Sequence, residues 1–500
     1  MFFLEIILEE IKIFIKKMYN FYFVKIYFNN ITICNPCKKF KEKKILVDFV
    51  YQNKKYQFLN LLLSKYIVKA ADSELVALIK TGDIETMKYC YKHNIRNFCY
   101  FLNSSLRERF NNYLHSYVYY KKTTSVDKLL KLNEKKITIG KIIYDHAIKI
   151  FNVGSIDQIC KRFSRIFILS YAANLSAIRI FSSKNFSFFI QSEKHWVPAN
   201  ILFQNALLYK TKVLCRIGNE NNLSLRLYNN FNSNFSNRSK ISKSLYKKIY
   251  NKKKLKKNIN RLCLPLLKER FNNNLNIFQK NKKRYFCKKY KLNPLNPIIC
   301  IYSNNLTDGI YSNSWSIYND NLTWLINTIN IAKNKKNINW VIKAHPMDDI
   351  KRNIRTTEEY VSNEIKYFNH IIFLRGDNKD SKYLHNIIDA GISAHGSVAM
   401  ELPSIGIPCL IAGDSFCSGF NFTIEPKNKS EYKHTINNIN TFKKLSVEKI
   451  YKARVFYYLY NLLIRFNLNK NLKFFDLNFY NAIKYQIKNN FRHPVNLKNF

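Results

Sequence analysis

Glycine and proline are scarce in this chain, at 11 and 10 of 500 residues. Acids are scarce as well: 33 Asp and Glu stand against 83 Lys and Arg, a formal charge of +50. Such an excess ordinarily points to nucleic acid or an anionic membrane. Here the basic residues are scattered over the whole length instead of gathering on one face or tail. They accompany an excess of Asn, Ile, Phe and Tyr, which is how an AT-rich genome spells proteins, so nucleic acid is not an expected partner. The densest run, "NKKKLKKNIN" (Asn251 to Asn260), reads as a solvated helix or linker. The charge still raises the local concentration of an anionic substrate or surface.

Long apolar runs are missing too. "IFILSYAANLSAI" (Ile166 to Ile178) falls short of the roughly 20 residues a bilayer span needs. The amino-terminal segment mixes Glu5, Glu9 and Glu10 with lysines and does not read as a signal peptide. Leu4, Leu8, Ile11, Ile15 and Met18 share a helical stripe, predicting an amphipathic helix over residues 2 to 18. It packs on the protein or lies peripherally on the inner membrane. Cys34 and Cys37 form the one close cysteine pair among 11, and no second ligand pair follows to complete a zinc knuckle. The expectation is reduced thiols, a cytoplasmic location, no metal and no cofactor.

What is present is apolar residue, 47% of the chain, enough to fold. The length suggests two or three domains. "ILVDFV" (Ile45 to Val50) reads as a strand and Tyr56 to about Ile79 as a helix. "KITIG" (Lys136 to Gly140), "AIRIFSS" (Ala177 to Ser183) and "KVLCRIG" (Lys212 to Gly218) read as further strands. Residues from about 219 read as an Asn/Lys-rich helical linker. From Pro297 strands and helices alternate crisply: "IICIYS", "LTWLINTINIA", "NWVIKAHP", "HIIFLR", "IDAGISA" and "PCLIAG". Alternation of this length predicts an open, doubly wound parallel sheet whose ligand binds beyond the strands' carboxyl ends. The stretch from Leu445 to Phe466 reads as a long helix.

With so few glycines, "SAHGSVAMELPSIGIPCLIAG" (Ser393 to Gly413) raises a question: why place one between His395 and Ser397? The reading is a strand-to-helix turn that receives an anion. Gly396 permits the tight turn and close approach, Ser397 caps the helix, and His395 donates. Glu401, one turn further, suits a ribose diol. Pro403 predicts a short or kinked helix near Leu402. "KAHP" places Lys343 and His345 at the same sheet edge, and "NNLTDG" adds Asp308.

"SNNLTDG…WLINTI…NWVIKAHP", "HGSVAMELPSIGIPCLIAG" and "SGFNFTIEP" resemble the carboxyl-terminal half of bacterial capsule and surface-polysaccharide glycosyltransferases, including relatives that use CMP-Kdo. The resemblance runs over roughly Ile298 to Tyr432. "ITIGKIIYDHAIK" and "WVPANILFQNALLYKTKV" give weaker echoes upstream. It implies an α/β GT-B-like fold, with two Rossmann-like domains facing a cleft, a helical linker and carboxyl-terminal helices. It also implies metal-independent transfer from a nucleotide-sugar donor to a polysaccharide or lipid-linked glycan acceptor. The implied donor residues are Asp308, Lys343, His345, His395, Gly396, Ser397 and Glu401. The implied division is an extension to residue 40, an acceptor domain with linker over 41–292, a donor domain over 293–445 and a helical tail over 446–500. No catalytic base stands out among Asp145, His146, Glu193 and His195. A CDP-glycerol-type glycerophosphotransferase is the enzymatic alternative; a non-catalytic sugar-binding or basic nucleic-acid-binding protein is the other.

Overall fold

A computed structural model describes residues 32–33, 44–51, 54–102, 105–183, 186–217, 222–229, 231, 241, 243–252, 255–271, 280–311, 316–348, 354–463 and 466–467. The amphipathic segment 2–18, the Cys34–Cys37 pair and the tail beyond 467 lie outside them. The chain forms two compact units. The first comprises Met1–His146, Asp157–Asn234 and Ile464–Phe500, and the second Ala147–Ile156 and Phe235–Leu463.

The first unit carries eight strands: β1 (Thr32–Ile33), β2 (Lys44–Asp48), β3 (Glu74–Lys80), β4 (Asn97–Phe101), β5 (Phe186–Gln191), β6 (Lys212–Ile217), β7 (Asn222–Tyr228) and β13 (Phe466–Asn467), ordered β1-β4-β3-β2-β5-β6-β7-β13. Pairing is parallel from β1 to β6, and antiparallel where β7 meets β6 and β13. Ile45, Val47, Ala77, Ile79, Phe98, Ile190 and Leu214 lie in its core, which explains the near-continuous apolar strands.

The second unit has β8 (Ile298–Tyr302), β9 (Asn339–Lys343), β10 (Ile371–Leu374), β11 (Ala390–Ser393) and β12 (Cys409–Ile411). All are parallel, in the order β10-β9-β8-β11-β12. The expected parallel sheet over this region is therefore present. In both units the chain builds outward from a central strand (β2 or β8), then returns and builds on its other side. That reversal is the Rossmann-type doubly wound arrangement, and it opens a crevice at the carboxyl ends of β2/β5 and of β8/β11.

Three expectations upstream are corrected. The helix read from Tyr56 to Ile79 ends at Ala71, where Asp72 turns left-handed (φ 47°), and "ELVALIK" pairs as β3. "AIRIFSS" belongs to the helix Phe163–Phe181, so its strand-like run is one stretch of a buried helix. "KITIG" is a turn entering the helix Ile139–Phe151. Gly140 is there for packing: a Cβ at that position would sit 1.7 Å from the Leu129 carbonyl oxygen and 2.9 Å from Leu132 Cβ. Gly140→Ala is therefore expected to cost about 1–3 kcal/mol by overpacking, read as a lower urea midpoint. An unchanged midpoint would show that the Leu129 turn yields freely.

Candidate functional site

The second unit's crevice is built by side chains at two strand ends. Ser393, the last residue of β11, donates its hydroxyl to Asn304 Oδ1 beyond β8 (3.1 Å) and accepts from the Gly396 N–H (3.1 Å). Asn321 Nδ2 braces the loop after β8 through the Asn305 carbonyl (2.9 Å). The helix Val398–Ser404 follows. Pro403 lacks the N–H that would reach the Ala399 carbonyl, and Cys417 donates its thiol to that oxygen instead (3.4 Å). The helix is short, as Pro403 predicted.

The predicted residues divide on inspection. His345 and His395 both lie at the carboxyl edge, on loops after β9 and β11, with β8 between those strands. His345 Nδ1 accepts from the Met347 N–H (3.1 Å), so its neutral ring carries the proton on Nε2. His395 is buried, and its carbonyl accepts from Ser415 Oγ (3.3 Å). Asp308 is exposed and accepts from Asn305 Nδ2 within its own loop (2.9 Å). Two details of the quoted turn differ from expectation. Ser397 makes no side-chain cap, because it already has helical φ and ψ. Gly396 has no positive φ, and its missing Cβ makes room for Ser393 Oγ, 2.8 Å from where that atom would be.

Glu401 is the largest departure. Its side chain is 7% exposed, and Oε1 lies 3.1 Å from Nε of Arg270, whose side chain is 52% exposed. Lys343 belongs to the same cluster. Burial holds its ammonium below the ordinary lysine range, Arg270 lowers it further, and Cys300 and Glu401 oppose them. Two cations thus surround one carboxylate, leaving a net positive charge beside the crevice. Arg270 ends the helix Leu255–Arg270, in a region that read as linker and gave no signal of a site. Asn304 and Ser393 were findable, since each follows an apolar strand directly.

The first unit repeats the plan. Beyond β2 and β5, Ser192 Oγ donates to Asn60 Oδ1 (2.5 Å) while Asn60 Nδ2 donates to the Asp48 carbonyl (2.7 Å). Asp48 Oδ1 accepts from the Val50 N–H (2.9 Å). Desolvation nonetheless pushes the Asp48 carboxyl up to about 7, and the Glu193 charge adds to it. Glu193 is itself mostly buried, which would raise it, but the His195 ring and the N–H groups of Lys194 and His195 hold it below the usual carboxylate range. Glu193 Oε1 and His195 Nδ1 are in direct hydrogen-bond contact. Among the described residues no group of three or more His, Cys, Asp and Glu is arranged to hold a metal, and no helix is long and apolar enough to cross a membrane.

No family model and no curated protein matches the chain. Among solved structures it is similar to a glycosyltransferase from Rickettsia africae, 14% identical over 89% of this chain and 99% of that one, with a TM-score of 0.29. It is similar to KpsC, a beta Kdo 2,4 transferase of Thermosulfurimonas dismutans, at 11% identity over 54% and 80% of the two chains (TM-score 0.29). The wall teichoic acid polymerase TagF is 10% identical over 98% of each chain, with a TM-score of 0.24. Likenesses this distant say nothing of function, which has to be read from the chain's own residues.

The Asp48 carboxyl gives a stability test. Its folded value of about 7 lies above its ordinary 3.8, so between those values the folded chain holds the extra proton. The stabilisation is full below about pH 4 and is lost as pH rises through about 7. Asp48→Asn is expected to flatten the fall of the thermal midpoint across that window and to exceed the parent's midpoint at pH 8. Parallel curves for parent and variant would show that Asp48 is ionised throughout.

Proposed function

We propose that the chain is a glycosyltransferase that takes its sugar from a nucleotide donor, with the second unit holding the nucleotide. The observation that carries this reading is the β8/β11 crevice, a strand-order reversal bordered by hydroxyl, amide and cationic groups. Lys343 and Arg270 supply positive charge for the phosphate, and Ser397 a hydroxyl beside the turn. His395 and His345 sit at the same edge as further donors, with Asp308 on the outer lip. Glu401 takes the ribose diol and, through Arg270, sets where the guanidinium meets the phosphate. Positive groups fixed in a partly dry setting stabilise the charge that grows on the departing nucleotide. The resemblance to capsule glycosyltransferases agrees, favouring a CMP-Kdo-type donor and a surface-polysaccharide or lipid-linked acceptor.

Thermal shift of the full chain against CMP, CDP, UDP and GDP tests the reading, since a ligand of the folded state raises the midpoint with the logarithm of its concentration. At least one nucleotide should stabilise the parent. A hydrogen bond to a charged group is worth roughly 1.5–3 kcal/mol, so Glu401→Gln should weaken that nucleotide about ten- to a hundred-fold. Arg270→Ala and the double variant separate the two roles of Glu401: a double variant weaker than either single one means that both residues touch the ligand. No stabilisation by any of the four would end the proposal. Preference for CDP, with glycerophosphate in the product, would favour the CDP-glycerol alternative.

A further inference from the structure

We propose that the Glu193–His195 pair, at the carboxyl edge of the first unit's sheet, is the proton-accepting site for a hydroxyl of a saccharide acceptor. The proposal rests on the transfer reading above and supplies the base that the sequence left unassigned among four candidates. Two of those are disqualified by position. Asp145 is fully buried in the helix Ile139–Phe151. His146, on the same helix, turns Nδ1 inward to accept from the Val197 N–H (3.4 Å), and burial pulls its ring down to about 4. A base must reach solvent-borne substrate, and neither does.

Glu193 and His195 meet that requirement. They lie just beyond β5, which pairs with β2 where the strand order reverses, so the fold puts them in the crevice where such sheets bind ligands. His195 is 26% exposed at its side chain, and its Nδ1 faces the largely buried Glu193 carboxylate. A carboxylate on Nδ1 fixes the tautomer that leaves the Nε2 lone pair to take a proton, and it stabilises the imidazolium that results. His195 is thus the catalytic base and Glu193 its positioning residue. The neighbouring carboxyls are divided by environment, Glu193 held low and Asp48 lifted by burial, so one is charged while the other is mostly spared.

The surroundings suit a sugar. Tyr51, 39% exposed, stacks on Tyr56 with ring centroids 5.7 Å apart, and its phenol feels the Glu193 charge. The Trp196 ring lies 5.5 Å from that of His195, and its backbone is held left-handed (φ 56°), costly for so bulky a residue. Aromatic faces beside a base accommodate the apolar face of a ring that also offers hydroxyls.

In the step, the acceptor oxygen forms its bond to the donor sugar's anomeric carbon as Nε2 takes the hydroxyl proton. The bond from that carbon to the nucleotide's phosphate oxygen breaks, and the electron pair leaves with the nucleotide. His195 then returns the proton to solvent.

The test uses the full chain with CMP-Kdo, CDP-glycerol and UDP-GlcNAc as donor probes and water as acceptor, following nucleotide release. His195→Ala should lower release about a hundred-fold or more, with nucleotide thermal shifts unchanged and part of the rate restored by added imidazole. Glu193→Gln should lower it about ten-fold. Nitrogen-15 spectra of histidine-labelled parent should show neutral His195 protonated on Nδ1, with that preference lost in Glu193→Gln. Release by His195→Ala at the parent rate would overturn the assignment, as would a proton found on Nε2 in the parent. A lost rate that imidazole does not restore would make His195 structural and overturn it too. A parent that neither binds nor releases any nucleotide would count against the transfer reading, and the base assignment would fall with it.

Discussion

One hydroxyl holds the second unit's site together. Ser393 Oγ stands between the Asn304 side chain and the Gly396 backbone, so it ties the end of β11 to the loop beyond β8 and sets the angle of the turn between them. These strands are neighbours in the sheet although 91 residues separate Ile298 from Asp389, whose carboxylate accepts from the Ile298 N–H (2.8 Å). The pairing is bonded at both ends, by Asp389 at the start and Ser393 at the finish. The residues from His395 to Glu401 take their places from it.

The same constraint shapes the first unit with different atoms. There Ser192 and Asn60 close the strand ends, and the chain leaves β5 directly into Glu193 and His195. Desolvation acts on Asp48 and Glu193 alike, and their partners decide the outcome. Asp48 has backbone N–H groups but no cation beside it, and its carboxyl rises to about 7. Glu193 has an imidazole and two N–H groups, which outweigh burial. In the second unit Lys343 and Arg270 share the one carboxylate of Glu401, so the balance tips towards positive. A protein with scattered surface charge thus acquires distinct electrostatic sites where strand ends remove water.

Much of the second unit was legible in the sequence, because each parallel strand is buried on both faces and reads as an unbroken apolar run ending in polar residues. The first unit was less so. "AIRIFSS" has the apolar run of a buried strand, and only its place inside a 19-residue helix decides otherwise. "ELVALIK" continued the apolar pattern of the preceding helix, and the stop lies in the left-handed backbone of Asp72, which a residue alphabet does not announce. At the candidate sites, residues adjacent to strands were visible, and partners from afar were not. Arg270 reaches Glu401 from 131 residues upstream in a lysine-rich stretch, and nothing local distinguishes it. Glu401 itself was placed on the right helix but expected to face open solvent. The ion pair explains why it is buried.

The central claim is that the strand reversal at β8/β11 receives a nucleotide. Amide hydrogen exchange of the full chain, with and without saturating CMP, measures this most directly. The account predicts slowed exchange in residues 303–308, 343–348 and 393–401, with β8 to β12 themselves unchanged because they are already protected. Slowed exchange confined to lysine-rich surface helices such as Lys280–Lys289, with those three loops unaffected, would contradict it.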